Sequence, residues 1–265
     1  MTDELLYDVR DHAATITFNR PERMNTITPK MLGALSERLL EADADPNVRV
    51  ILMTGVGRAW CAGLDVGDAV SGDGIGSEGA GSSGNGEFNL REAPPVVLHK
   101  IDTPTVAVLN GGAAGYGLDI ALGCDIRIAS ETAKLSAAYT ARGLVPESGG
   151  TWLLPRIVGW SKAAELLFTA RTLTAADAME LGLVSTVVPA EELDEAATKL
   201  ADEIAATAPL ATRASKRLMR HAMTENLEDH VQRQYLALLQ LFATKDFREG
   251  LASFLEKRPA EFHGE

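Results

Sequence analysis

The sequence predicts an α/β or α+β core, with helices lying on a sheet, that gives way to an all-helical C-terminal region. Short β-rich runs alternate with helical patterns over the first two thirds of the 265 residues. One of those runs is apolar from Val50 to Met53, as expected of a strand covered on both faces. From Glu191 onward the apolar period becomes helical.

Ala13–Phe18 alternates small or β-branched residues and predicts the first strand. A helix over residues 29–41 follows, placing Met31, Leu32, Leu35, Leu39 and Leu40 on one face. Residues 48–54 are the apolar strand, continuous from Val50 to Met53 and broken only by Arg49 and Thr54, and residues 104–109, 125–129 and 183–188 predict further strands. In the C-terminal region Leu193, Ala197, Leu200 and Ile204 recur at helical spacing. A second stripe runs through Leu227, Val231, Tyr235, Leu238, Leu239 and Phe242, and Pro209 and Thr224-Glu225-Asn226 mark the reversals. This pattern divides the chain into a core of residues 1–195 and a helical region of residues 196–265. A helical tail of this kind serves as a docking arm or oligomer interface, or simply packs on the core. Residues 67–86 hold Gly, Ser and Asp almost to the exclusion of large apolar side chains. Such a segment cannot bury enough surface to offset its ordering entropy and predicts a mobile loop, either an exposed insertion or a lid.

Composition removes several function classes. A hydrophobic share of 46% with 23% charged residues excludes global disorder. The formal net charge of −12 opposes binding to nucleic acid or anionic lipid, which requires clustered positive charge. Cys61 and Cys124 stand at no metal-ligand spacing and read as reduced thiols. No apolar run approaches the roughly 18 residues that cross a bilayer, and Met1-Thr2-Asp3-Glu4 lacks the basic and apolar regions of a signal peptide. A cytoplasmic protein with no nucleic-acid, membrane or metal partner is expected.

Nucleotide and hydrolase motifs are missing. The cluster Gly112-x-x-Gly115-x-Gly117 reverses the dinucleotide spacing, and neither a Gly-Lys-Ser/Thr phosphate loop nor a Gly-x-Ser-x-Gly elbow occurs. Two glycine turns share one design instead. The strand at 48–54 runs into Gly55-Val56-Gly57-Arg58-Ala59-Trp60-Cys61-Ala62-Gly63-Leu64-Asp65, and the strand at 104–109 into Asn110-Gly111-Gly112-Ala113-Ala114-Gly115-Tyr116-Gly117-Leu118-Asp119. Small residues there let a ligand approach the backbone. The second turn then becomes helical, and N–H groups at a helix start lack internal partners. Two such amides from separate strand ends can form an oxyanion hole, although glycine-rich strand-to-helix turns are also common as plain structure.

These segments resemble the crotonase (enoyl-CoA hydratase/isomerase) family. Asn19-Arg20-Pro21-Glu22-Arg23-Met24-Asn25-Thr26 looks like its opening motif, and 59–65 and 110–119 like its two oxyanion segments. Cys124-Asp125-Ile126-Arg127, the turn Gly143-Leu144-Val145-Pro146-Glu147-Ser148-Gly149-Gly150-Thr151 and residues 176–188 continue the likeness over nearly the whole chain, in the family's order. The resemblance implies a crotonase-like spiral of repeated ββα units with a C-terminal helical trimerisation region, in trimers that often pair into hexamers. It implies that the backbone N–H groups of Leu64 and Tyr116 hold a thioester oxygen. Arg23, Met24 and Thr26, with Ala62, Leu64, Asp65, Val66 and Tyr116, would line the coenzyme A groove. No cofactor is bound permanently; coenzyme A arrives as part of the substrate.

Enolate chemistry needs a base near the α- or γ-carbon. Two glutamates flank the water in the family's hydratases, and their places fall here on Asp119 and Tyr139. Asp119 is one methylene shorter and Tyr139 is no carboxylate, which puts two-carboxylate hydration in doubt. A third family position, used by several isomerases and a dehalogenase, falls on Glu147. Leu144, Val145 and Trp152 are expected to wall it and raise its pKa, while the helix start at Ser148-Gly149-Gly150 lowers it. The sequence leaves that competition open. The favoured expectation is a double-bond shift by Glu147, with Asp119 either catalytic, a plain helix residue or a partner of Tyr139. A hydratase and an inactive acyl-CoA-binding homologue are the alternatives.

Overall fold

The computed structural model describes residues 4–65 and 90–265. Val66 and residues 67–86 therefore lie outside the described residues. The described strands form two sheets. The larger has the order β1 (Leu5–Arg10), β2 (Ala13–Phe18), β3 (Val50–Gly55), β5 (Thr105–Leu109), β7 (Ile126–Ser130), β10 (Thr186–Val188). Only the β1–β2 pair is antiparallel. The smaller sheet has the order β4 (Ala59–Cys61), β6 (Gly112–Ala114), β8 (Lys134–Ser136), β9 (Thr172–Thr174).

The apolar run of β3 is explained by what lies on its two faces. Ile51 and Met53 join the main core beneath helix α1 (Pro29–Ala44), helix α2 (Pro94–Lys100) and helix α3 (Tyr116–Gly123). Val50 and Leu52 face the opposite way, with Val106, Val108 and Ile128, against Leu193, Ala197 and Ala201. Each such side chain contributes about 1.5–3 kcal/mol when fully buried. Those last three residues belong to a later helix, Leu193–Ala205, so the expected boundary at 195/196 falls inside an element that covers the core sheet.

Helix α1 is capped by Thr28, whose side chain accepts the Met31 N–H at 3.2 Å. Its buried face holds Met31, Leu32, Leu35, Leu39 and Ala42. Leu40, expected on that face, is 50% exposed, because its angular position lies off the stripe. After the core come α4 (Gly150–Val158), α5 (Trp160–Thr169), α6 (Ala175–Glu180), α7 (Leu193–Ala205), α8 (Pro209–Ala222), α9 (Leu227–Phe242) and α10 (Lys245–Glu256).

Helix α8 is strongly amphipathic in charge, and its basic face is tied to the end of α1 and to two loops of the core. Arg213 Nη2 lies 2.9 Å from Asp43 Oδ1, Lys216 Nζ 2.7 Å from Asp125 Oδ2, and Arg220 Nη2 2.7 Å from Asp102 Oδ1. Helix α9 differs, since none of its residues is buried within the chain. Among the described residues, no helix is long and apolar enough to cross a membrane.

Candidate active site

The smaller sheet brings the two glycine turns together. Ala59 pairs with Gly112 and Cys61 with Ala113 in parallel register. Gly117 packs so closely on β4 that a Cβ there would stand 2.2 Å from the Cys61 carbonyl oxygen, so only glycine fits. Beyond β4, the Ile27 N–H donates to Gly63 O at 2.8 Å and the Asp65 N–H donates to Ile27 O at 3.0 Å. This bridge uses the groups on either side of Leu64 and turns Leu64's own amide the other way. Beyond β6, Tyr116 opens α3, where the first N–H has no partner within the helix. Leu64 and Tyr116 line one cavity of about 110 Å³ together with Ala62, Ala114, Tyr139 and Glu147. The structure thus brings both expected amide donors to the same space as the expected base.

Glu147 stands at the mouth of this cavity, exposed on its outer side. Burial is nevertheless the largest influence on its carboxyl and raises its pKa, against a smaller lowering from its own backbone N–H. The wall expected around it is not built as predicted. Leu144 borders the cavity but is 58% exposed, and Val145 is 71% exposed. Trp152 turns away to meet the His99 ring edge-on at 5.1 Å and to lie under the Arg156 guanidinium at 4.0 Å.

Asp119 does not reach the cavity wall. It is 1% exposed, on the buried side of α3, and burial, followed by repulsion from Glu147, pushes its carboxyl up to about 7. Tyr139 stands beside it and does line the cavity; burial raises its phenol above the ordinary range. Tyr116 Oη, Asp119 Oδ2, Tyr139 Oη and Ser148 Oγ are all buried without a hydrogen-bond partner, and these are the four such side-chain atoms among the described residues. Their concentration here sets this region apart, with Tyr116 and Tyr139 lining the cavity and Asp119 and Ser148 lying behind it.

The residues expected to line the coenzyme A groove are held by an ion cluster around the buried Asp65. Asp65, 5% exposed, receives Arg23 Nη2 at 2.9 Å, Arg20 Nη2 at 3.3 Å and Thr26 Oγ1 at 3.0 Å. Its carboxylate is therefore an anchor for the 20–26 turn, and Ala62 is tied to the same turn by its N–H to Met24 O at 3.1 Å. Met24 is half-exposed in a left-handed conformation, φ 53°. Sequence reasoning missed Arg142 on the cavity wall, Ser148 beneath it and the structural part played by Asn25. Arg142 and Ser148 carry no signal a pattern search would weigh; Asn25 lies within the opening motif.

Comparison with known proteins identifies relatives over the whole chain. A family model described as enoyl-CoA hydratase/isomerase matches residues 9–265. The chain is 36% identical to 1,2-epoxyphenylacetyl-CoA isomerase of Escherichia coli (strain K12), covering 100% of both chains. It is 31% identical to short-chain-enoyl-CoA hydratase of Clostridium acetobutylicum, covering 98% of this chain and 97% of that one. A crystal structure of enoyl-CoA hydratase from Bacillus anthracis superposes with a TM-score of 0.88 at 32% identity, over 99% of this chain and 100% of that chain.

Proposed function

Since the chain belongs to the enoyl-CoA hydratase/isomerase family and is an enzyme of that class, we propose that it shifts the double bond of an enoyl-CoA thioester by moving one proton between C2 and C4. In this reading the thioester oxygen sits on the amides of Leu64 and Tyr116. Glu147 takes a proton from one carbon, the C–H electrons enter the conjugated enolate, and the same carboxyl returns the proton to the other carbon. No water enters and no leaving group departs. The groove around Arg23, Met24, Thr26 and Ala62, anchored by Asp65, accommodates coenzyme A. The same reading includes Val66 in that groove.

The observation that carries the proposal is the sharing of one cavity by Leu64, Tyr116 and Glu147. A single base suits a 1,3-shift, whereas the second carboxylate place of a hydratase holds Tyr139. Developing negative charge on the oxygen is where the amides act, and losing one such donor typically costs ~10²–10³ in kcat. Glu147→Gln should lower kcat by ~10²–10⁴ while acyl-CoA affinity stays nearly intact. Wild-type turnover in that variant would remove Glu147 from the mechanism.

The proposal extends to assembly. Val231, Tyr235, Leu238 and Leu239 of α9 are each more than two-fifths exposed in the single chain. A contiguous apolar face of that kind marks an interface, and we assign it to a trimer, with pairing of trimers into a hexamer.

A further inference from the structure

We propose that Asp119 is a positioning residue, holding in place the turn that carries Glu147, and not a group that transfers a proton; this rests on the reading of Glu147 as the base. Helix α4 begins at Gly150, and its own N-cap residue, Gly149, has no side chain to receive the first N–H groups. Those amides need an acceptor from elsewhere in the fold. Asp119, reaching across from α3, is the carboxyl that faces them. Its Oδ1 lies so close to Gly150 that a Cβ there would come within 2.2 Å of it, and the same Cβ would come within 2.9 Å of the Pro146 side chain. Asp119 therefore presses on the closed end of the short turn whose middle residue, next to Pro146, is Glu147.

Burial is the largest influence on the Asp119 carboxyl and, with the charge of Glu147, raises its pKa. The Tyr139 hydroxyl and then the N–H groups of Gly150 and Ser148 favour its charged form, as a helix start does for any carboxylate. The carboxyl's second oxygen, Oδ2, and the Tyr139 hydroxyl are both buried and unpartnered. Tyr139 and Glu147 border the cavity, but Asp119 does not. A carboxyl set back behind that wall can brace the wall more readily than it can reach a substrate carbon, which requires hydrogen-bond distance.

The test compares two substitutions with Glu147→Gln on a 3-enoyl-CoA, reading kcat and KM separately. Asn accepts from helix-start amides about as well as Asp, so Asp119→Asn should keep kcat within ~threefold of wild type and preserve the shape of its pH profile. Gly150→Ala alters no titrating group but thrusts a methyl onto Asp119 Oδ1. It should cut kcat ~10-fold or more and leave KM within ~threefold, because it misplaces the base. The proposal is overturned if Asp119→Asn loses as much kcat as Glu147→Gln, or loses a limb of the pH profile, since both mean that its proton is used. It is also overturned if Gly150→Ala, checked as folded by its unfolding transition, turns over like wild type. Full activity of Glu147→Gln is a separate outcome, which removes the base assignment itself.

Discussion

Asn25 is fully buried in a left-handed conformation, φ 56°, and its side chain closes three hydrogen bonds. Its Nδ2 donates to Ala59 O at 2.7 Å and Val56 O at 3.0 Å, and its Oδ1 accepts the Arg20 N–H at 2.8 Å. Asn25→Ala should cost about 2–4 kcal/mol, from orphaned backbone groups and an unfavourable φ. A denaturant midpoint unchanged from wild type would refute that account. Two carboxyls set the pH behaviour. Glu147 must be ionised to act as a base, and its raised pKa means that kcat falls, as pH is lowered, at a point above the ordinary 4.5; an unperturbed limb in the kcat profile would contradict this. Asp119 has its pKa raised from 3.8 to about 7 on folding. Between those values the folded chain binds more protons than the unfolded one, so this contribution to stability is fully present below the lower value and is lost as pH rises through the upper. Asp119→Asn should abolish it: measured by denaturation, the variant gains on wild type from pH 4 to pH 8. No change in their difference would show Asp119 to be unperturbed. That Leu64, Tyr116 and Glu147 would share one space was legible in the sequence through the family resemblance, whereas the depth of Asp119 was not. Burial of a polar residue depends on which elements pack over it, here α3 against α4.

Elements with strong internal periodicity were readable, and those shaped by their neighbours were not. Strands β2, β3, β5 and β7 and helix α1 appear within a few residues of the expected bounds. β1 was not anticipated, because only Leu5 of its six residues is buried and an edge strand shows no alternation. The three-residue strands β4, β6, β8 and β9 are too short to carry a period, yet their pairing brings the two glycine turns side by side. The 183–188 run shortens to Thr186–Val188, since Leu183 and Val184 are buried as part of the preceding turn. Helix α7 offers the test at this scale. Leu193, 3% exposed, closes one face of the large sheet, and Leu193→Ala should destabilise the chain by about 2–5 kcal/mol. A loss below about 0.5 kcal/mol, the range of an exposed surface change, would mean that α7 is only loosely attached.

The whole molecule is a scaffold for bringing two distant strand ends and one carboxylate into register. The α/β core followed by helices was visible in the sequence from its change of period, but the gathering of β4, β6, β8 and β9 into a second sheet was not. The α9 stripe was visible too, and the fold leaves it facing outward. Tyr235→Lys combined with Leu239→Lys should convert an assembled wild type into monomers by light scattering; a wild type that is itself monomeric would contradict the assignment of that face. The central claim is that enolate chemistry at this cavity needs Glu147 and no added water. It is tested most directly by incubating the wild type and Glu147→Gln with a 3-enoyl-CoA in heavy water containing labelled oxygen, and weighing the products. The account predicts that the wild type gives a 2-enoyl-CoA, told from its substrate by the ultraviolet absorbance of the conjugated thioester. That product carries no solvent oxygen and little solvent deuterium, because Glu147 returns the proton it took, and the variant leaves the substrate unchanged. Labelled oxygen in the wild-type product, or isomerised product from the variant, would contradict it.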